Sequence, residues 1–340
     1  MPTLADVARH AGVAASTVSY VLSGKRSVSE ETRRRVRRSI ELLGYHPHAG
    51  AQALASSRSN IVALVVPLRA ELYVPVMMEI AIGVATTARK FGYDVLLLTN
   101  EEGVDGIRRV TAGSRADAVI LTDVTLADER VSIIRQAGID AVLIGVPADS
   151  AGLDCVDLDF AQAGELCVRH LAGLGHREVA FIGEAPGVYQ REVGFAMRTL
   201  EGVQSAAGRS GVSVVHRPCE GGYEAAAGVL VRIFEERPHT TGLIVQNEAV
   251  IPSLFSVLRA SGRTVPEDVS IVALCPDQLA ERTVPQLSSV TLPAHELGAR
   301  AVGQLARTMG GRQQAGEVVL IPPTLSARGS SAAAPVPADR

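Results

Sequence analysis

An α/β fold is expected for this chain: a small helical head followed by a larger body of parallel sheets. Three observations predict it. The first sixty residues hold two short amphipathic segments meeting at a Gly-centred turn. From Ile61 onward, short β-rich runs alternate with helical stretches. The charge is also divided. Residues 1–59 carry nine Lys/Arg against four Asp/Glu, or +5, which leaves −8 on the remainder of a chain whose total is −3.

The head can be justified element by element. Leu4, Val7, Ala8 and Ala11 recur at helical spacing. Thr3 followed by Asp6 forms an N-cap pair, and Gly12 supplies a stop. A second helix is expected from about Ala15 to Ser23, with Val18, Val21 and Leu22 on one face and Gly24 ending it. Helix, short Gly-containing turn, helix is the helix-turn-helix arrangement, whose second helix lies in a DNA major groove. Spacing alone would equally suit two ordinary surface helices. A third helix, about Glu30 to Leu43 behind a Ser29 cap, shifts the balance. Its Val36, Ile40 and Leu43 can cover the first two helices while Arg33, Arg34, Arg35, Arg37 and Arg38 face outward. A basic head on an acidic body is the asymmetry expected of a nucleic-acid-binding module. The next segment, Pro47–Ser57, is short, Ala-rich and interrupted by Gly50, so it should be mostly unfolded alone.

The body reads as strands at Ile61–Val66, Asp94–Leu98, Ala118–Leu121, Ala141–Gly145, Val179–Gly183, Gly211–His216, Gly242–Val245 and Ser270–Leu274. Alternation with helices implies parallel sheets covered on both faces. No G-x-G-x-x-G follows a strand and no G-x-x-x-x-G-K-[ST] occurs, so dinucleotide and P-loop chemistry have no support. Cys155, Cys167, Cys219 and Cys275 are scattered and read as reduced thiols, neither a metal site nor a disulfide framework. No apolar run reaches the ~18 residues of a membrane span. The opening residues read as helix-turn-helix from Thr3 without an apolar leader, so a cytoplasmic protein is expected. The Ala/Pro/Ser-rich tail from Gly329 to Arg340 is expected to be disordered.

Thr3-Leu4-Ala5-Asp6-Val7-Ala8, Ala11-Gly12-Val13, Ser16-Thr17-Val18-Ser19 and Val21-Leu22-Ser23-Gly24 resemble the headpiece of LacI/GalR-family transcriptional regulators. The likeness continues through Leu43-Gly44-Tyr45 and Pro47. Ala51-Gln52-Ala53-Leu54-Ala55-Ser56 is similar to the family's hinge helix, and Ile61 to Pro67 to the first strand of its effector domain. The resemblance implies a headpiece over 1–58, with a hinge at about 47–57. It implies a periplasmic-binding-protein-like effector domain over 59–328, of two lobes joined by three crossovers. The N-terminal lobe would span about 60–159 and 291–318, and the C-terminal lobe about 160–290 and 319–328.

The same resemblance implies a homodimer reading a pseudo-palindromic operator in double-stranded DNA, with no membrane partner, no cofactor and no enzymatic activity. Ala15, Ser16 and Tyr20 would touch base edges, while Thr17, Ser19, Ser23, Lys25 and Arg26 suit phosphates. Thr3 and Leu4 join this DNA-facing set. Packing against the third helix is the competing role for Tyr20. Leu54 would wedge into a minor-groove step, and Ala51 would let two hinge helices approach. For the effector, a sugar, sugar phosphate or other small metabolite, Arg191 matches a ligand-gripping Arg and Asn247 a pocket-facing residue at a strand end. Cys275 stands where relatives have an acid, Arg217 near where relatives have a stacking aromatic, and Tyr73 completes the set. Losing an anion and gaining a cation points to an anionic effector gripped by Arg191 and Arg217. The alternative is that Arg217 faces solvent and the pocket is degenerate. A binding protein or an enzyme on the same two-lobed fold stays open. His170, His176 and His216 are isolated, and Asp157 and Asp159 suit structural roles.

Overall fold

The structure, a computed structural model, describes residues 2–23, 26–45, 58–69, 71–99, 103–112, 115–311 and 316–335. The hinge positions Ala51 and Leu54, and Lys25, lie outside the described residues.

The head has three helices, α1 (Leu4–Ala11), α2 (Ala15–Ser23) and α3 (Glu30–Leu43). Thr3 caps α1 in a full capping box: its Oγ1 accepts from the Asp6 amide at 3.3 Å, and the Asp6 carboxylate accepts from the Thr3 amide at 2.9 Å. Gly12 closes α1 and Gly44 closes α3, both at positive φ (61° and 59°), where a side chain would be strained. Val7, Ala8, Ala11, Val18, Val36 and Tyr45 form the head's own small core.

The body has two six-stranded sheets. The first orders β11 (Val318–Ile321), β5 (Asp154–Leu158), β4 (Asp140–Ile144), β3 (Ala118–Leu121), β1 (Ile61–Val65) and β2 (Asp94–Leu98), all parallel. The second orders β12 (Leu325–Ser326), β10 (Ser288–Thr291), β9 (Ser270–Cys275), β8 (Gly242–Val245), β6 (Glu178–Gly183) and β7 (Ser213–Pro218), parallel except that β12 runs against β10. Central strands such as β1 are apolar throughout because both faces are covered. Val62 and Leu64 enter one core while Ala63 and Val65 enter another. The chain passes between sheets after β5, after β10 and between β11 and β12. Because β11 pairs with β5, the last passage falls at 322–324, three residues beyond the boundary expected from sequence.

One helix pair covers each sheet at close range. In the first lobe, α4 (Val74–Lys90) crosses α13 (Ala294–Met309). A Cβ on Gly83 would collide with the His295 carbonyl, and one on Gly298 with the Ile80 carbonyl. In the second, α7 (Phe160–Gly173) crosses α9 (Gly194–Ser210), with Gly164 against the Thr199 carbonyl and Gly202 against the Ala161 carbonyl. The remaining helices are α5 (Gly103–Ala112), α6 (Glu129–Ala137), α8 (Pro186–Gln190), α10 (Tyr223–Glu236), α11 (Ile251–Ala260) and α12 (Asp277–Glu281).

The tail corrects an expectation. Residues 329–335 are not loose: they lie along the second sheet. The Ser330 hydroxyl accepts from the Ser288 amide (2.8 Å) and donates to the Ile271 carbonyl (2.7 Å). The Ser330 carbonyl accepts from the Ile271 amide, and Ala334 donates to the Leu174 carbonyl, each at 2.8 Å. His170 reaches the Ser331 hydroxyl, and His176 the Ala332 carbonyl. Composition alone suggested disorder, but backbone groups of β9 and β10 use this segment as their hydrogen-bond partner. The two isolated histidines are thereby explained as structural.

Candidate functional site

Two regions carry the expected site residues. On the head, Ala15 and Ser16 stand exposed on the first turn of α2, with Thr17, Ser19 and Tyr20 half-buried behind them. Tyr20 stays outside the head's core cluster, and the Arg26 guanidinium lies 5.6 Å from its ring centroid. Ser23 ends α2. Thr3 and Leu4 have structural partners: the Thr3 hydroxyl is engaged by Asp6, and Leu4 packs against the head's core. Arg34, Arg35, Arg37 and Arg38 are exposed along α3.

The second region is a cavity between the two lobes, with about 1050 Å³ of empty space, part of it open to solvent. Its lining comes from both lobes, as a ligand site between domains requires. Its walls are mostly apolar, with Tyr73, Phe160 and Phe195 among them. The polar groups gather where strands end. Asp157 lies at the end of β5, Asp123 follows β3, Glu184 follows β6, and Gln246 and Glu248 follow β8. The carboxyl ends of parallel strands are where open α/β sheets bind ligands.

The charges in this cavity divide into two groups. Arg191 donates from Nη1 to Glu71 Oε1 at 3.0 Å, joining the second lobe to the first, and Arg69 donates to Asp123 at 3.4 Å. Asp157, Glu184 and Glu248 have no such cation among the described residues. Burial pushes the Asp157 carboxyl up to about 7. Burial, and then the neighbouring Glu248, holds the Glu184 carboxyl well above its ordinary range; burial raises Glu248 likewise. Burial also raises the Tyr73 hydroxyl, with Glu248 adding to it. Asp157 Oδ1 accepts from the Leu158 amide, but Oδ2 has no partner. Gln246 donates to Thr199 at 3.0 Å and leaves its Oε1 unpartnered.

The structure brings Arg191 and Tyr73 to this cavity, as expected. It does not bring the other three. Asn247 is turned away from the cleft: its amide donates to the Cys219 carbonyl (2.7 Å) and its oxygen accepts from the Ala249 amide (3.0 Å). Its neighbours Gln246 and Glu248 line the cavity instead. Along β9 side chains alternate between faces, so Leu274 reaches the cavity while Cys275 packs in the core beneath. Arg217 shares the Ile182 face of the sheet, under α10, and pairs there with Glu236. His216 takes the opposite face, stacked on Phe181 and edge-on to Tyr189, and burial pushes it down to about 4. Four of the missed residues, Asp123, Glu184, Gln246 and Glu248, shared one signal: a carboxyl or amide side chain within three residues of a buried strand's end; Glu71, six residues beyond β1, did not.

A family model described as "Bacterial regulatory proteins, lacI family" matches residues 3–48, and one described as "Periplasmic binding protein-like domain" matches residues 168–331. Among curated relatives, the HTH-type transcriptional regulator CelR of Thermobifida fusca is 30% identical over 311 residues, covering 87% of this chain and 88% of its own. Catabolite control protein A of Priestia megaterium is 27% identical over 335 residues, covering 97% and 99%. Among solved structures, a CelR–cellobiose complex superposes with a TM-score of 0.70 at 28% identity, covering 97% of this chain and 100% of that one. The lac repressor dimer bound to operator and the anti-inducer ONPF gives 0.83 at 23% identity, covering 98% and 99%, a likeness of fold. With its helix-turn-helix head and two-lobed parallel-sheet body, the chain belongs to the LacI family of bacterial transcriptional regulators and is not an enzyme.

Proposed function

We propose that the protein is a dimeric repressor that binds a pseudo-palindromic operator and is controlled by a small molecule held between its lobes. The observation that carries this reading is the interlobe cavity, lined at strand ends by Asp157, Glu184, Gln246 and Glu248, on the same chain as an exposed α2 reading surface. A sugar or sugar-derived effector accords with the cellobiose in the CelR complex. Ala15, Ser16 and Tyr20 read base edges, and Thr17, Ser19, Ser23, Lys25 and Arg26 hold phosphates.

The dimer has support on α4. Val74, Met78 and Ile82 recur every four residues and stand about half exposed, with Leu68 and Leu97 exposed in the same lobe. A stripe of exposed apolar residues on one helix face is characteristic of an interface. Ligand contacts to both lobes alter how the two first lobes of a dimer sit, and so the spacing of the two heads. The Glu71–Arg191 ion pair bridges the lobes at this cavity and is the contact a ligand would rearrange. Coupling of this kind is typically about 1–3 kcal/mol.

An anionic effector is not retained. Arg217 is committed to Glu236, Arg191 to Glu71, and five carboxyl side chains line the cavity against two arginines. The test is selection of operators from random duplex DNA, followed by binding of the winner across a salt series. A pseudo-palindrome bound far above background supports the reading. Recovery of no motif, with affinity that simply collapses as salt rises, overturns it.

A further inference from the structure

The interlobe cavity holds more carboxyl groups than its own cations pair with. Glu71 and Asp123 are matched by Arg191 and Arg69. Asp157, Glu184 and Glu248 remain, contributed by β5 of one lobe and the ends of β6 and β8 of the other. Arg198 lies near enough to favour ionised Asp157, but it neither lines the cavity nor pairs with it among the described residues. A carboxyl surplus alone would not define a ligand. The independent observation is Gln246. It is only 2% exposed, lines the same cavity, and leaves Oε1 without a donor. Asp157, 3% exposed, leaves Oδ2 in the same condition. Both unpartnered atoms are acceptors, so they call for a donor. Two buried guanidinium nitrogens are also unpartnered: Arg191 Nε, on the side chain already paired with Glu71, and Arg198 Nη1, on the Asp157 side but outside the cavity lining.

The rest of the wall is carbon. Tyr73, Phe160 and Phe195 present aromatic rings, with the Phe160 and Phe195 centroids 5.5 Å apart, and Leu274, Met77 and Ile80 lie among them. Aromatic faces beside carboxylates are the surroundings in which organic cations bind. A neutral polyol would be served by amides as well as by carboxyls, whereas buried carboxyls without cations gain most from a cationic partner.

We propose that this cleft takes a ligand bearing a protonated amine, seated against Glu184 and Glu248 and donating to Gln246 Oε1, with its carbon frame against Tyr73, Phe160 and Phe195. The inference rests on the effector-site reading above and names the ligand class of that site. Anionic ligands are disfavoured by the same arrangement.

The experiment uses the full chain and probes matched except for charge: glucosamine against glucose and N-acetylglucosamine, and phenethylamine against 2-phenylethanol. Binding is read by calorimetry and thermal shift, alongside operator affinity. The expected result is that in at least one set the amine binds at least about tenfold more tightly than its neutral twin, a difference of about 1.4 kcal/mol. That preference should disappear in E184Q and E248Q. Both variants are near-isosteric and remove an unfavourable buried carboxyl, and an unfolding midpoint no lower than that of the wild type shows that they are folded. Neutral probes binding as well as amines in both sets overturns the inference, as does absence of amine binding at millimolar concentration. An amine preference that survives both variants also overturns it. If neutral sugars bind and shift operator affinity, the effector-site reading stands without this inference. If glucosamine or phenethylamine binds with the expected preference but leaves operator affinity unchanged, the ligand class stands and the regulatory reading fails.

Discussion

Replacing Asp157 by an asparagine should flatten the pH dependence of the protein's stability. Asp157 lies at the end of β5 beside the interlobe cavity, and burial raises its carboxyl from an ordinary 3.8 to about 7. Between those two values the folded protein holds a proton that the unfolded chain has already released. The stability this group contributes is therefore fully present below about pH 3.8 and is lost as pH rises through about 7. With about 1.36 kcal/mol per pKa unit, the loss between roughly pH 5 and roughly pH 7.5 comes to about 2.5 kcal/mol from this one group. Glu184 and Glu248 are raised in the same direction and add a slope of the same sign. A carboxamide in place of the carboxyl cannot titrate, so D157N should lose less stability over that interval by about the same 2–3 kcal/mol. The assay is urea unfolding of wild type and D157N at several pH values, reading the first transition of the body. Parallel pH profiles for the two proteins would refute the reasoning, because they would mean that Asp157 is ionised equally in the folded and unfolded states.

Other outcomes follow from packing and hydrogen bonding. G83A or G298A should destabilise the first lobe by about 1–3 kcal/mol or more, read as a lower unfolding midpoint, since each new methyl meets a backbone carbonyl of the partner helix. Truncation after Arg328 removes Ser330 and strips partners from the Ser288 amide and from both backbone groups of Ile271. At about 1–3 kcal/mol for each buried group left unsatisfied, amide exchange in β9 and β10 should accelerate sharply while β1 and β3 stay protected. T3A should lose about 1 kcal/mol of head stability by breaking the capping box, seen as a lower melting temperature of α1 by NMR. Y20A should lower affinity for the selected operator by about 1–3 kcal/mol and leave nonspecific binding nearly unchanged in a competition assay.

The head was legible in sequence because its signals are local. Thr3 and Asp6, Ser29, Gly12 and Gly44 act within one turn of the helices they cap, so reading them needed no tertiary contact. Eight strands were legible for a related reason. Segments such as Ile61–Val65 and Ala118–Leu121 are buried on both faces and read as apolar runs. Two of the strands that escaped notice carry a weak apolar signal. β5 reads Asp-Cys-Val-Asp-Leu and β10 Ser-Ser-Val-Thr, with too little apolar character to announce themselves. β11, Val-Val-Leu-Ile, was missed although it is wholly apolar, and its pairing with β5 moves the last lobe boundary.

The cavity residues divide along similar lines. Arg191 and Tyr73 were found, whereas Asn247 was one position out of phase. A strand end sends neighbouring side chains in opposite directions, and only the three-dimensional arrangement decides which of Gln246, Asn247 and Glu248 faces the cleft. The same parity separates Leu274 from Cys275, and His216 from Arg217.

By itself the sequence determined the helix-turn-helix head, the alternating α/β body and the family, because caps, turns and apolar periods are written in consecutive residues. Only the tertiary structure decided which carboxyls share the cleft, which arginines are already spoken for, and that the tail to Pro335 is held against the second sheet. The physical reason is that charge balance and hydrogen-bond satisfaction are settled between residues distant in the chain, such as Glu71 with Arg191 and Ile271 with Ser330.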